Sequence, residues 1–202
     1  MDFRILGPLE ALEEGHPVAL GGGRQRALLA VFLLHPNETL STDRLIDELW
    51  GEDPPSAAAK TVQVRISRLR KALAGDRRNE LLVTRDRGYE LHVDPGGLDS
   101  QRFERLAAEG RAELAAGQPR RALAAFEEAL SLWRGDPLAD LGYEQFAQLE
   151  IARLRDLRDA AREQLIDAKL ALGRHAEVVG ELQALIAENP LRERLRGQLM
   201  LA

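Results

Sequence analysis

The fourteen residues KTVQVRISRLRKAL, Lys60 to Leu73, hold five basic side chains and no acidic one, in a chain whose net charge is −5. On a helical wheel of 100° per residue, Val62, Ile66, Leu69 and Leu73 fall in one narrow stripe, at spacings of 4, 3 and 4. Lys60, Val64, Ser67, Arg68 and Lys71 lie opposite that stripe. Thr61 and Arg65 flank one edge, and Gln63 and Arg70 the other. The pattern predicts a helix from about 57 to 73 that buries its apolar stripe and turns its charge away from the core. The neighbouring sequence extends the same field. Between Ala57 and Arg87 nine basic residues stand against three acidic ones, a local charge of +6, while the other 171 residues carry −11. A concentration of one sign on an acidic chain points to a polyanion.

Reading upstream, TDRLIDELWG (42–51) predicts a helix capped by Ser41 or Thr42 and closed by Gly51. Its inner face is Leu45, Ile46, Leu49 and Trp50, with Trp50 expected in the core. Before it, RQRALLAVFLLH (24–35) is apolar almost all round after Arg26, which predicts a buried helix ended by Pro36-Asn37. FRIL (3–6) and LEALEEGHPVAL (9–20) read as short strands with a turn at Glu14-Gly15. Gly21-Gly22-Gly23-Arg24 lacks the Lys-Ser/Thr pair of a phosphate loop and reads as a plain turn.

Reading downstream, LLVTRD (81–86) and YELHV (89–93) are strand-like runs around an Arg-Asp-Arg-Gly turn, a hairpin with Arg85 and Arg87 near its tip. Three helices, the third basic, followed by such a hairpin make a winged helix-turn-helix. A DNA major groove admits one α-helix, whose outward side chains reach base edges, while a hairpin can reach an adjacent groove or the phosphates. Arginine suits both tasks, because its planar fork pairs bidentately with guanine or phosphate. Val64, exposed among polar residues, can contact a thymine methyl group.

PGGLDS (95–100) is a cluster of breakers and sets a boundary between a domain at 1–95 and another at 96–202. The second half predicts helices at about 100–116, capped by Asp99, and at 119–133, 144–172, 175–188 and 191–202. LAAGQPRRALAAF (114–126) resembles LALGRHAEVVGEL (170–182) at an offset of 56 residues. Each unit is a helix, a glycine-containing turn and an amphipathic helix, as in a tetratricopeptide repeat. WRGDPLADLGYEQF (133–146) takes up the extra spacing. Within it, Trp133 fits either a core position or a contact between the halves. Arg153, Arg155 and Arg158 are expected to pair with Glu150, Asp156 and Asp159 along their helix. The fold class is therefore mainly α with small β-sheets: a winged helix-turn-helix followed by an all-α, tetratricopeptide-like domain.

The composition excludes much else. With no cysteine there is no disulfide, thiolate zinc site or iron–sulfur cluster. The four histidines lie in separate elements without ligand spacing, so no metal is expected. No acidic residue sits in a catalytic motif, so neither enzymatic activity nor a cofactor is expected. ALLAVFLL (27–34) is too short to span a bilayer, and the N-terminus is not a signal peptide, which places the chain in the cytoplasm.

TVQVRISRLRKAL, a short loop and TRDRGYEL resemble the recognition helix and wing of the OmpR-type DNA-binding domain, and the strands before the first helix match that subtype. The resemblance implies that Lys60, Thr61, Val64, Ser67, Arg68 and Arg70 face DNA and that Arg87 enters the minor groove. Most relatives carry a basic residue where this chain has Ser67, which implies an altered base preference. Charge placement adds Arg65, Lys71 and Arg85 to the candidates. LWRGDPLADL and LALGRHAEVVGELQALIAENPLRERLRGQLMLA resemble the bacterial transcriptional activation domain. Together the halves are similar to the SARP family of antibiotic regulatory proteins. That similarity implies a transcriptional activator of secondary-metabolite genes, a homodimer on promoter direct repeats of double-stranded DNA that recruits RNA polymerase holoenzyme. No receiver domain is expected ahead of the first strand, and the resemblance implies further helices after residue 202. Two alternatives stand beside it: a protein-interaction scaffold, and the regulatory N-terminal region of a larger signalling ATPase. A docking helix would carry an apolar or mixed outer face, not five bases.

Overall fold

The computed structural model describes residues 1–73 and 81–202. Arg77 and Arg78, counted in the basic segment, lie outside the described residues, as do Gly75, Asp76 and Glu80. The chain divides into two compact units, Met1–Gln101 with Trp133–Leu154, and Arg102–Leu132 with Arg155–Ala202.

The first unit opens with an antiparallel sheet of β1 (Asp2–Arg4), β2 (Glu10–Glu13) and β3 (His16–Pro17). The turn between β2 and β3 has positive φ at both Glu14 (50°) and Gly15 (84°), the backbone a tight hairpin requires. Next comes α1 (Gly23–Leu34), which buries every residue from Ala27 to Leu33. A two-residue strand, β4 (Thr39–Leu40), follows; it is too short to leave a period in the sequence. It pairs with β6 (Gly88–Leu91), which pairs with β5 (Leu82–Arg85), in the order β4-β6-β5. Gly88 is required there, because a Cβ would lie 2.0 Å from the Leu40 carbonyl oxygen. Helix α2 (Thr42–Trp50) is capped by Ser41, whose hydroxyl accepts from the Arg44 N–H, and closed by Gly51 at φ 57°. Helix α3 (Ala58–Leu73) buries Ala58, Val62, Ile66, Leu69 and Leu73. Each large side chain of that stripe contributes about 1.5–3 kcal/mol of burial.

The segment 133–146, expected as a spacer within a helical repeat, belongs to this first unit, which takes in Trp133–Leu154. The Arg134 N–H donates to the Leu6 carbonyl at 2.7 Å and the Leu138 N–H to that of Ile5 at 2.9 Å. The Asp140 carboxylate accepts from the Leu9 N–H at 2.8 Å and from Arg26. Asp99, expected as a helix cap, starts α4 (Asp99–Ala115), but its buried carboxylate also accepts the Ile5 and Leu6 N–H groups at 2.8 and 3.0 Å. Trp133 is buried. Trp50 departs from expectation: it is half-buried, with the Arg65 guanidinium 5.7 Å from its ring centre.

The second unit takes residues from α4, α5 (Pro119–Ser131), α6 (Gln145–Ala171), α7 (His175–Glu188) and α8 (Glu193–Leu201). The internal similarity reappears as one geometry used twice. Gly117 and Gly173 have φ of 71° and 74°. Each N–H bonds three residues back, to Leu114 and Leu170, while the next residue's N–H bonds five back, to Glu113 and Lys169. This is the Schellman closure, which favours glycine at its left-handed position. Gly110 permits close helix approach, since a Cβ there would meet the Phe126 ring at 2.7 Å. Ile166, Val178, Leu182, Leu185 and Leu195 form a core cluster. Arg153 pairs with Glu150 as expected, at 2.6 Å. Asp156 and Asp159 also meet Arg192, at the N-terminus of α8, at 3.2 and 3.5 Å, and Asp159 pairs with Arg162 one turn along its own helix at 3.7 Å. Among the described residues no helix is long and apolar enough to cross a membrane.

Candidate nucleic-acid interface

The outer face of α3 is set by its period. With the apolar stripe turned inward, Lys60, Val64, Ser67, Arg68 and Lys71 are exposed, and Thr61, Arg65 and Arg70 are half-buried at the edges. Val64 is 44% exposed, unusual for a valine amid charge. With none of the described residues do Lys60, Arg68 or Lys71 form an ion pair, so their charges remain available to a ligand. The Thr61 hydroxyl donates to the Ala57 carbonyl at 3.0 Å within the helix.

The three edge and wing arginines have other attachments. Arg65 lies on Trp50, and its guanidinium is held below its ordinary pKa by burial and by the neighbouring charges of Arg24 and Arg68. Its buried Nε has no hydrogen-bond partner. Arg70 donates to the Leu82 carbonyl at 2.7 Å and to the Thr84 hydroxyl at 2.8 Å, with its guanidinium 5.9 Å from the Tyr89 ring centre. It ties α3 to the hairpin. Arg85 makes a two-pronged pair with Glu90, both contacts at 2.9 Å. That pairing raises the Arg85 pKa and lowers that of Glu90. Arg87 is exposed at the turn between β5 and β6.

Arg24 was not among the sequence-predicted residues. An open cleft of roughly 640 Å³ runs between the start of α1 and the outer face of α3, lined by Gly22, Arg24, Lys60, Val64, Arg65 and Arg68, among others. Gln25 fixes this approach by donating to the Arg65 carbonyl at 2.9 Å. The N-cap Gly22 has no side chain to satisfy the first N–H groups of α1. The signal was present in Gly21-Gly22-Gly23-Arg24, but only the packing of α1 against α3 brings Arg24 beside Arg65 and Arg68.

A winged helix with an open basic helix, on a chain that also carries a helical-repeat half, defines a class of transcriptional regulators. Family comparison agrees: the model for the C-terminal domain of transcriptional regulatory proteins matches residues 15–91, and that for the bacterial transcriptional activator domain matches 98–202. The chain belongs to the SARP family of transcriptional regulators. Regulatory protein DnrI of Streptomyces peucetius is 37% identical over 209 residues, covering all of this chain and 77% of DnrI. Regulatory protein AfsR of Streptomyces griseus is 40% identical over 200 residues, covering 99% of this chain but only 20% of AfsR. The chain thus spans about a fifth of that relative's length. A solved structure of Mycobacterium tuberculosis EmbR, in complex with a low affinity phosphopeptide, superposes with a TM-score of 0.93 at 36% identity, over 98% of this chain and 53% of EmbR.

Proposed function

We propose that this chain activates transcription by binding promoter direct repeats in double-stranded DNA as a homodimer and recruiting RNA polymerase holoenzyme, in the cytoplasm and without enzymatic activity. Secondary-metabolite genes are the proposed targets, by likeness to the antibiotic regulators of the family. The carrying observation is the outer face of α3, where Lys60, Val64, Ser67, Arg68 and Lys71 stand exposed with no acidic residue among them.

In this reading the DNA-reading half is 1–95 and the activation half is 96–202. Helix α3 enters the major groove. Arg68 and Lys60 reach base edges, Val64 meets a thymine methyl group, and Thr61, Ser67 and Lys71 add contacts to bases or phosphates. Arg24 and the start of α1, with Arg65 at the edge of the cleft, hold a phosphate of the same strand. Arg70 acts by bracing the hairpin, and Arg87 at its tip enters the neighbouring minor groove. Arg85 reaches phosphate only when Glu90 releases it.

The test is a salt titration of binding to an upstream DNA fragment, comparing the chain with Arg68→Ala. Neutralised phosphates release counterions, so log K should fall with log salt at about 0.9 per phosphate contacted. Arg68→Ala should cost about 1–3 kcal/mol and relax sequence preference. A flat salt dependence, or equal binding by both proteins, would remove the reading.

A further inference from the structure

We propose that the pocket bounded by the start of α1, the edge of α3 and Glu144 binds a small zwitterion with an apolar body, of the α-amino-acid class, and that its occupancy withdraws Arg24 and Arg65 from DNA. The pocket has a volume of roughly 230 Å³, lies within the first unit and is lined by Arg24, Ala27, Leu49, Trp50, Arg65 and Glu144. It shares Arg24 and Arg65 with the open cleft on the outer face of α3 and none of that cleft's other lining residues. The effect on DNA rests on the phosphate contact proposed above for those two arginines; the pocket itself does not. Two features point to the ligand.

The first is charge. Burial, and then the charges of Arg24 and Arg68, hold the Arg65 guanidinium below its ordinary pKa, so the two arginines of the pocket repel each other. Neither guanidinium forms an ion pair or a hydrogen bond with the described residues. Glu144, half-buried on the same pocket, forms no ion pair with them either. Two guanidiniums beside a carboxylate that does not reach them suit a ligand whose own carboxylate meets the arginines and whose ammonium meets Glu144. The planar fork of arginine matches a carboxylate, and such charge-assisted bonds are among the strong ones. A simple anion would lie beside the like charge of Glu144, and a simple cation beside two guanidiniums, so each meets a repulsion that the zwitterion avoids.

The second is the wall. Ala27 is buried, and Leu49 and Trp50 are half-buried. Apolar walls with a few placed polar groups are the composition of a small-molecule site. The volume falls below the roughly 300–1,000 Å³ of sites for drug-sized ligands, which limits the occupant to about the size of one amino acid. The consequence for DNA follows from the shared residues. A ligand carboxylate bonds the same guanidiniums that would hold a DNA phosphate, and they cannot serve both at once.

The probe is L-phenylalanine, titrated calorimetrically into the chain. Two controls accompany it: 3-phenylpropionate, which lacks the ammonium, and 2-phenylethylamine, which lacks the carboxylate. L-phenylalanine should bind at least about tenfold tighter than either, the size of one charge-assisted contact. Glu144→Gln should weaken L-phenylalanine by about tenfold and leave 3-phenylpropionate within about twofold of its parent affinity, a split that a folding defect would not produce. Arg24→Ala should weaken L-phenylalanine and 3-phenylpropionate alike and should not weaken 2-phenylethylamine. Saturating L-phenylalanine should lower affinity for the upstream DNA fragment and reduce the salt slope by about 0.9, the share of one phosphate. Absence of L-phenylalanine binding, equal affinity for 3-phenylpropionate, or no change of selectivity in Glu144→Gln overturns the site. Saturation that leaves DNA affinity and slope unchanged overturns the withdrawal of Arg24 and Arg65. If the parent binds no DNA while the selectivity for the zwitterion holds, the pocket stands and the DNA reading falls.

Discussion

The outer face of α3 and the loop at residues 5–9 use charge in opposite ways. On α3, Lys60, Arg68 and Lys71 are exposed without an ion-pair partner among the described residues. Around the loop, Asp99, Asp140, Arg26 and Arg134 are all engaged internally. Asp99 accepts from Ile5 and Leu6, Asp140 accepts from Leu9 and pairs with Arg26, and Arg26 also donates to the Leu9 carbonyl. Arg134 pairs with Glu10 at 2.9 Å and donates to the Pro8 carbonyl. One region leaves its charge without an ion-pair partner among the described residues, and the other uses it to satisfy backbone groups of a turn. Changes on α3 should therefore alter DNA binding and leave stability intact, while changes around the loop should do the reverse.

The largest effect expected is that of Asp99→Ala. It strips the acceptor from two buried N–H groups, each worth about 1–3 kcal/mol when left unpaired, so chemical denaturation should show a loss of about 2–5 kcal/mol. Asp99→Asn sharpens the point through pH. Burial raises the Asp99 pKa above its ordinary value, against the lowering effects of the Ile5 and Leu6 N–H groups and Arg134. The folded state therefore holds this proton to higher pH than the unfolded chain does. Its contribution to stability is full below the unfolded carboxylate value, about 3.9, and is lost as pH rises through the raised folded one. The advantage of the native protein over Asp99→Asn should grow as pH falls across that window. An advantage that shrinks instead would mean that the two N–H bonds and Arg134 outweigh burial.

Arg70→Ala tests the border between the regions. Losing the bonds to Leu82 and Thr84 should lower stability by about 1–2 kcal/mol. DNA affinity should fall as well, because the wing is no longer held against α3. Arg70→Lys should not restore either property, since one ammonium cannot serve both acceptors and lie over Tyr89. If stability is unchanged and only affinity and salt slope fall, Arg70 belongs with the DNA face.

This contrast also explains what could be read from sequence. The faces of α3 follow from a local period, so the wheel placed Val62, Ile66, Leu69 and Leu73 inside and Lys60, Val64, Ser67, Arg68 and Lys71 outside, where the structure has them. The glycine turns at 117 and 173 were legible for the same reason. The bonds from Asp99 to Ile5 and from Asp140 to Leu9 join residues 94 and 131 positions apart, and no period reports such a partner. Trp50 looked like core because its helix face is apolar, but α2 ends there and its ring is half-buried, with the Arg65 guanidinium 5.7 Å from its centre. Arginine is the hardest residue to assign from sequence, since Arg68 and Arg70 sit two positions apart and have different attachments.

The smallest expected effect, Glu90→Gln, asks on which side of the line the wing falls. Glu90 holds both prongs of Arg85 and also accepts from Thr39 at 3.2 Å. A neutral amide keeps the shape and drops the charge that holds the guanidinium. The pair is exposed, so the unfolding temperature should scarcely move. If Arg85 then turns to DNA, affinity rises modestly and the salt slope steepens by up to about 0.9, the contribution of one phosphate. An unchanged slope, with Arg87→Ala still lowering it, would leave only the wing tip in contact with phosphate. A fall in affinity would mean that the pair holds β5 and β6 in their binding shape, and the line between ligand-facing and framework charge would then run between Arg85 and Arg87.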